Sequence, residues 1–258
     1  MRALAGLCAA LALAGPALAQ DRLAGHVDVR LPGDAAGPVP AVVMFSGCGG
    51  VRPLFEDYAA AAHEAGWAAV IVDSHAARGI GRFAARTLVC TGLRMRGQAR
   101  AADVFAALDR LRANPAIDGE TLALAGWSHG GWTVLDAMAQ AKAGAAPGAD
   151  PWRGVEAAML IYPYCGTLID ADTAAIGDPF PIQMTLVGKD RIADPDACRR
   201  LAERRAGEGS DIDIVFEPDL THAFDDAEQP WDPRMAYDAA GTERALARFS
   251  DWLEEAAN

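Results

Sequence analysis

Positive charge is the first thing this sequence lacks. Lysine and arginine number 23 against 35 aspartates and glutamates, a formal net charge of -12 over 258 residues. A broad field of that sign repels phosphate backbones and anionic lipid surfaces, so neither nucleic acid nor membrane is an expected partner. A small anionic substrate stays open, because a pocket can carry its own arginine. Long apolar runs are also missing, except at the N-terminus. Met1 to Ala19 reads MRALAGLCAALALAGPALA. One arginine precedes an apolar stretch, Gly15-Pro16 breaks it, and Ala17-Leu18-Ala19 offers a small-x-small cleavage site. The segment reads as a signal peptide cut after Ala19, too short and too rich in alanine to span a bilayer. A lipoprotein signal at Cys8 is disfavoured by the bulky Leu7 before it. The expected location is periplasmic or secreted. With no internal repeat and no convincing linker, residues 20–258 read as one domain.

Histidine and cysteine are sparse as well, five of each. The cysteine spacings fit no metal site, so no metal is expected. Cys8 would leave with the signal peptide. The even set that remains, Cys48, Cys90, Cys165 and Cys198, suggests disulfides in an exported protein. Cys48 and Cys90 follow strands expected to be neighbours, and so do Cys165 and Cys198. Those are the favoured pairs, although sequence alone allows three pairings, or free buried thiols.

What is present is a regular alternation. Apolar residues make up 52%, many of them alanine, enough for a folded core. Gly25 to Leu31 alternates like an early antiparallel strand. Continuous apolar runs at 41–45 and 67–72 suit strands buried on both faces, and 121–125, 155–162 and 181–187 read as further, largely apolar strands. Asp211 to Glu217 alternates like a sheet edge. Helical segments are expected at 54–65, 98–112, 128–142, 196–206 and 233–255, with Val104, Leu108 and Leu111 forming one apolar stripe. Asp73 to Gly92 reads as a long basic loop. This order predicts an α/β fold, a mostly parallel sheet with helices on both faces and a site beyond the strands' C-terminal ends.

One of those ends carries Gly126-Trp127-Ser128-His129-Gly130, a G-x-S-x-G nucleophile elbow. A strand turning sharply into a helix exposes one hydroxyl at the tip, and glycines two residues to either side relieve the collision. Serine needs a base, itself oriented by a carboxylate. Of the five histidines only His222 lies beyond the elbow, in a loop after the last expected strand. The acid should fall between them at a strand end. Asp190, directly after Leu186 to Lys189, is preferred, and Asp194 is the alternative. The oxyanion hole would use the N–H of His129 and one from Gly47-Cys48-Gly49-Gly50, most naturally that of Cys48. Trp127 and Trp132 read as packing residues, and Tyr164 and Phe180 as candidate pocket walls.

In order along the chain, SGCGG (46–50), DSHAARG (73–79), GWSHGG (126–131), YPYC (162–165), VGKD (187–190) and THAFD (221–225) resemble the dienelactone hydrolase family of α/β-hydrolases. The resemblance implies that Ser128, Asp190 and His222 are catalytic, with no cofactor and a small ester or lactone as substrate. It also sets Arg78 in a segment that contacts a substrate carboxylate in dienelactone hydrolases; a structural ion pair, with Asp73, is the plainer reading. Three positions depart from the pattern. Ser128 stands where the best-known members carry cysteine, which favours general ester hydrolysis over lactone specificity. Ser46 stands where histidine is common. Asp190 is followed by Arg191 rather than a second aspartate, which keeps Asp194 in view. A peptidase or acyltransferase on the same three residues, or an inactive binding protein on this scaffold, are the other readings.

Overall fold

A computed structural model describes residues 22–33, 35–170, 179–229 and 231–257. The expected signal peptide and its cleavage site lie outside these residues. A seven-stranded sheet runs through the molecule in the order β1-β3-β2-β4-β5-β6-β7. Its strands are β1 (Val27–Arg30), β2 (Val39–Phe45), β3 (Ala68–Val72), β4 (Ile117–Trp127), β5 (Val155–Ile161), β6 (Ile182–Val187) and β7 (Ile212–Glu217). β1 pairs antiparallel with β3, and every other pairing is parallel.

Residues 41–45 of β2 and all of β3 are fully buried because their residues are apolar on both sides, as helices cover both faces. The helices are α1 (Leu54–Glu64), α2 (Gly97–Arg112), α3 (His129–Lys142), α4 (Pro195–Gly207) and α5 (Ala239–Ala256). On one face α2, α3 and α4 press Val104, Leu108, Leu135 and Leu201 onto Val43, Val70 and Leu124. On the other, α1 and α5 bring Phe55, Tyr58, Phe249 and Trp252 against Met44, Ala125 and Met159. β7 is only half-buried, as its alternating sequence requires of an edge.

The connectivity creates the site. From β2 the chain moves to β3 on one side, then returns to lay β4 on the other side of β2. At such a switch point the loops leaving adjacent strands diverge and open a crevice. Here those are the glycine-rich loop after β2 and the elbow after β4.

Two elements differ from the sequence reading. The last helix begins at Ala239 rather than Pro233, because the Asp238 side chain accepts from Gly241 N–H at 2.7 Å and caps it there. The segment after β3 is not a plain loop: it holds a 3-10 turn at Ala76–Arg78 and helical turns over 82–89.

Candidate active site

Ser128 sits between the last residue of β4 and the first of α3, with φ 53° and ψ -111°. Few L-residues adopt this conformation, and it persists only where the surroundings enforce it. They do so by close approach. A Cβ at Gly126 would lie 2.6 Å from the Gly130 carbonyl carbon, and one at Gly130 would lie 1.9 Å from Phe45 O. Both glycines are therefore required by space rather than by φ. Ser128 N–H donates to Ile161 O at 2.9 Å, tying the elbow to β5.

The three residues expected to act together form one hydrogen-bonded chain. His222 Nε2 lies 2.9 Å from Ser128 Oγ, and His222 Nδ1 lies 2.7 Å from Asp190 Oδ2. A carboxylate can only accept, so Nδ1 carries the proton and Nε2 is free to accept from the serine hydroxyl. Asp190 is itself held: its Oδ1 accepts from the N–H groups of Ile192 and Ala193, each at 2.8 Å. Asp194 is elsewhere, capping α4 by accepting from Asp196 N–H at 3.0 Å.

The loop after β2 lies against the elbow, close enough that a Cβ on Gly47 would sit 3.5 Å from Ser128 Cβ. Its carbonyls are pinned in succession. Arg100 Nη1 donates to Ser46 O at 2.6 Å, Gly50 N–H to Gly47 O at 3.2 Å, and His75 Nε2 to Cys48 O at 3.0 Å. Disulfides join Cys48 to Cys90 and Cys165 to Cys198. The His129 ring, beside the serine, is buried: Nε2 donates to Met95 O at 2.7 Å, and Nδ1 lies 3.4 Å from Arg100 Nη1. Burial, reinforced by the Arg100 charge, pulls the pKa of His129 to about 3 and that of His75 to about 4. Both rings are neutral at physiological pH, which matches their donor and acceptor assignments.

Beneath His222 lies a second carboxylate that the sequence reading did not single out. Asp225 is fully buried and accepts from Tyr58 Oη at 2.8 Å, Trp127 Nε1 at 3.2 Å and the Tyr162 hydroxyl. It thereby ties the His222 loop to α1 and to the ends of β4 and β5. The Tyr162 ring also lies 4.7 Å from the His222 ring. Burial raises the Asp225 pKa above the usual carboxylate value, opposed by the two tyrosine hydrogen bonds. Arg52 adds a rim contact, pairing with Asp226 at 2.9 Å and joining the loop after β2 to the histidine loop. Among the described residues, no group of three or more His, Cys, Asp or Glu is placed to hold a metal ion.

Comparison with known proteins places the chain in a family. The model of the dienelactone hydrolase family matches residues 27–257. The chain belongs to the dienelactone hydrolase family. No match was found among curated proteins. Among solved structures, a dienelactone hydrolase from Anabaena variabilis is similar at 18% identity and TM-score 0.63, covering 89% of this chain and 90% of that one. A dienelactone hydrolase-like promiscuous phosphotriesterase from metagenomic libraries matches at 18% identity and TM-score 0.65, over 90% of this chain and 99% of its own. Est1E from Butyrivibrio proteoclasticus, with ferulic acid bound, matches at 13% identity and TM-score 0.64, over 90% and 94%. This dienelactone hydrolase family member has the α/β-hydrolase fold and is a hydrolase acting on ester bonds.

For this family member, one expected substrate contact is corrected. Arg78 is not free to bind a carboxylate, and its partner is not Asp73. Its guanidinium grips both oxygens of buried Asp103, at 2.6 and 2.9 Å, and donates to Ser74 O and Ala99 O. All four terminal N–H bonds of the fork are used within the protein. Asp73 instead accepts from the N–H groups of His75 and Ala76. Phe180 is a core residue, packed edge-on against Trp152 at 5.3 Å, rather than a wall of the site. Trp127 and Trp132 do pack, the former against Phe55 and Tyr58, the latter against His129 and Tyr164.

Proposed function

We propose that this protein is an exported serine esterase that cleaves a small carboxylic ester or lactone through an acyl-enzyme. The observation that carries the proposal is the continuous chain from Ser128 Oγ through His222 to Asp190, with the serine on a strained elbow. Ser128 Oγ attacks the substrate carbonyl carbon as its proton passes to His222 Nε2. The carbonyl electron pair moves onto oxygen, where the N–H groups of Cys48 and His129 receive the oxyanion. Collapse expels the leaving oxygen, which takes the proton from His222. Water, deprotonated by the same histidine, then releases the acyl group and restores Ser128. Asp190 keeps the imidazole in the required tautomer and stabilises its charged form. The proton transfers and backbone donors need no cofactor. Export rests on the N-terminal segment 1–19 and on the disulfides, which persist in an oxidising compartment.

The test pairs a fluorophosphonate probe with short p-nitrophenyl esters. Ser128→Ala is expected to abolish labelling and to lower kcat/KM by at least about a thousandfold. An unchanged rate would reject the mechanism. Asp190→Ala should be severely impaired and Asp194→Ala close to wild type; the reverse would transfer the acid role to Asp194.

A further inference from the structure

Arg100 is a buried cation for which the mechanism above has no use. It is fully buried on the first turns of α2. Its hydrogen bonds go to neutral groups: Ser46 O at 2.6 Å, Ser46 Oγ at 3.3 Å and His129 Nδ1 at 3.4 Å. The nearest acidic group on its own helix, Asp103, spends both oxygens on Arg78. Among the described residues, Arg100 Nε is buried without a hydrogen-bond partner. Phe45 adds only a ring face, 5.7 Å from the guanidinium carbon. Asp103 and, more weakly, Asp73 attract its charge while Arg78 repels it, but among the described residues no carboxylate hydrogen-bonds it. Burying a cation on neutral partners is costly, so a fold that needed only packing here would be better served by an apolar side chain.

Its position explains the cost. The two residues its side chain hydrogen-bonds, Ser46 and His129, belong to the two segments that converge on Ser128. Resting on the esterase reading, we infer that Arg100 is a positioning residue for the oxyanion hole, holding both donor segments and supplying positive charge behind them. The peptide that would donate, Gly47–Cys48, lies between two peptides fixed through their carbonyls, one by Arg100 and the next by His75. Its own carbonyl accepts from Gly50 N–H, so its N–H must point the opposite way across a trans peptide. On the elbow side, Arg100 meets the ring of the residue whose N–H is the second donor. Negative charge appears on the substrate oxygen only as Ser128 attacks. A fixed buried cation therefore favours the tetrahedral state over the bound ester and acts on kcat rather than KM. Burial lowers the Arg100 pKa to about 10, which leaves it charged at neutral pH.

The experiment compares wild type, Arg100→Met and Arg100→Lys on p-nitrophenyl esters. Active sites are counted by fluorophosphonate titration, so that rates refer to folded, competent enzyme. A trifluoromethyl ketone, which Ser128 converts to a hemiketal oxyanion, reports on the charged state; the matching neutral alcohol reports on plain binding. Removing one oxyanion donor outright costs about a hundredfold or more, and a charge acting through those donors should count for about tenfold. Arg100→Met should therefore lose about tenfold in kcat per active site and in ketone affinity, with KM and alcohol affinity within about twofold. Arg100→Lys should recover most of that loss. Wild-type kcat per site in Arg100→Met, or equal losses in both variants, would overturn the inference. If Arg100→Met does not fold, Arg100→Lys decides alone: a loss of ketone affinity within threefold supports the inference, and a larger one overturns it. Wild-type enzyme that neither labels nor cleaves esters would instead reject the esterase reading itself.

Discussion

Acid should destabilise this protein well above the pH at which carboxylates protonate, and the reason lies in two histidines beside the candidate active site. His75 and His129 are almost completely buried, with pKa values pulled from 6.5 to about 4 and about 3, first by burial and then by the Arg100 charge. In the unfolded chain both take up a proton near pH 6.5. Between pH 6.5 and 4.5 the unfolded state therefore binds protons that the folded state refuses, and stability falls as pH falls. Each histidine contributes about 1.4 kcal/mol per pH unit, so the pair removes about 5 kcal/mol across that window. That is a large part of the stability of an ordinary domain. Asp225 works in the opposite direction, because its raised pKa lets the folded state bind a proton first. The clean measurement is thus a difference between variants. His75→Gln keeps an N–H donor for Cys48 O and removes one titration. Urea unfolding followed by tryptophan fluorescence at pH 7.0, 6.0, 5.0 and 4.5 should give the variant a slope shallower by about 1.4 kcal/mol per unit below pH 6.5. Identical slopes would show that His75 is not held neutral, and the reasoning would fail.

Two further outcomes follow from packing and polar burial. Gly130→Ala places a methyl group against the Phe45 carbonyl, a backbone atom that cannot swing aside, and is expected to give little soluble folded protein. A stable, fully active Gly130→Ala enzyme would contradict the elbow geometry. Asp225→Ala leaves Tyr58, Trp127 and Tyr162 without their buried acceptor, and at about 1 to 3 kcal/mol for each orphaned donor it should lower stability by at least about 3 kcal/mol. A shift below about 1 kcal/mol in denaturant titration would remove Asp225 from its place as the anchor of the His222 loop.

How much of this was legible depended on whether the forces were local. The elbow could be read because its glycines answer contacts within a few residues and one neighbouring strand. The sheet could be read because strands buried on both faces must be apolar throughout, as 41–45 and 68–72 are. Asp190 and His222 stood at strand ends, where this fold concentrates function. The start of α5 was misjudged because amphipathic spacing at 245–252 extrapolates smoothly toward Pro233, whereas the Asp238 cap depends on one side-chain bond. Arg78 was set against the nearest acid in sequence, Asp73, while its real partner Asp103 is 25 residues away on α2. Asp225 was hidden for the same reason: Tyr58 lies 167 residues from it and Trp127 lies 98. Arg100 did leave a trace. It falls four residues before Val104 and eight before Leu108, on the stripe that α2 turns to the core. A charged residue in register with an apolar stripe is a local inconsistency, and such inconsistencies concentrate where function overrides stability. The contact it makes, with Ser46 across 54 residues of chain, is what only the folded structure could supply.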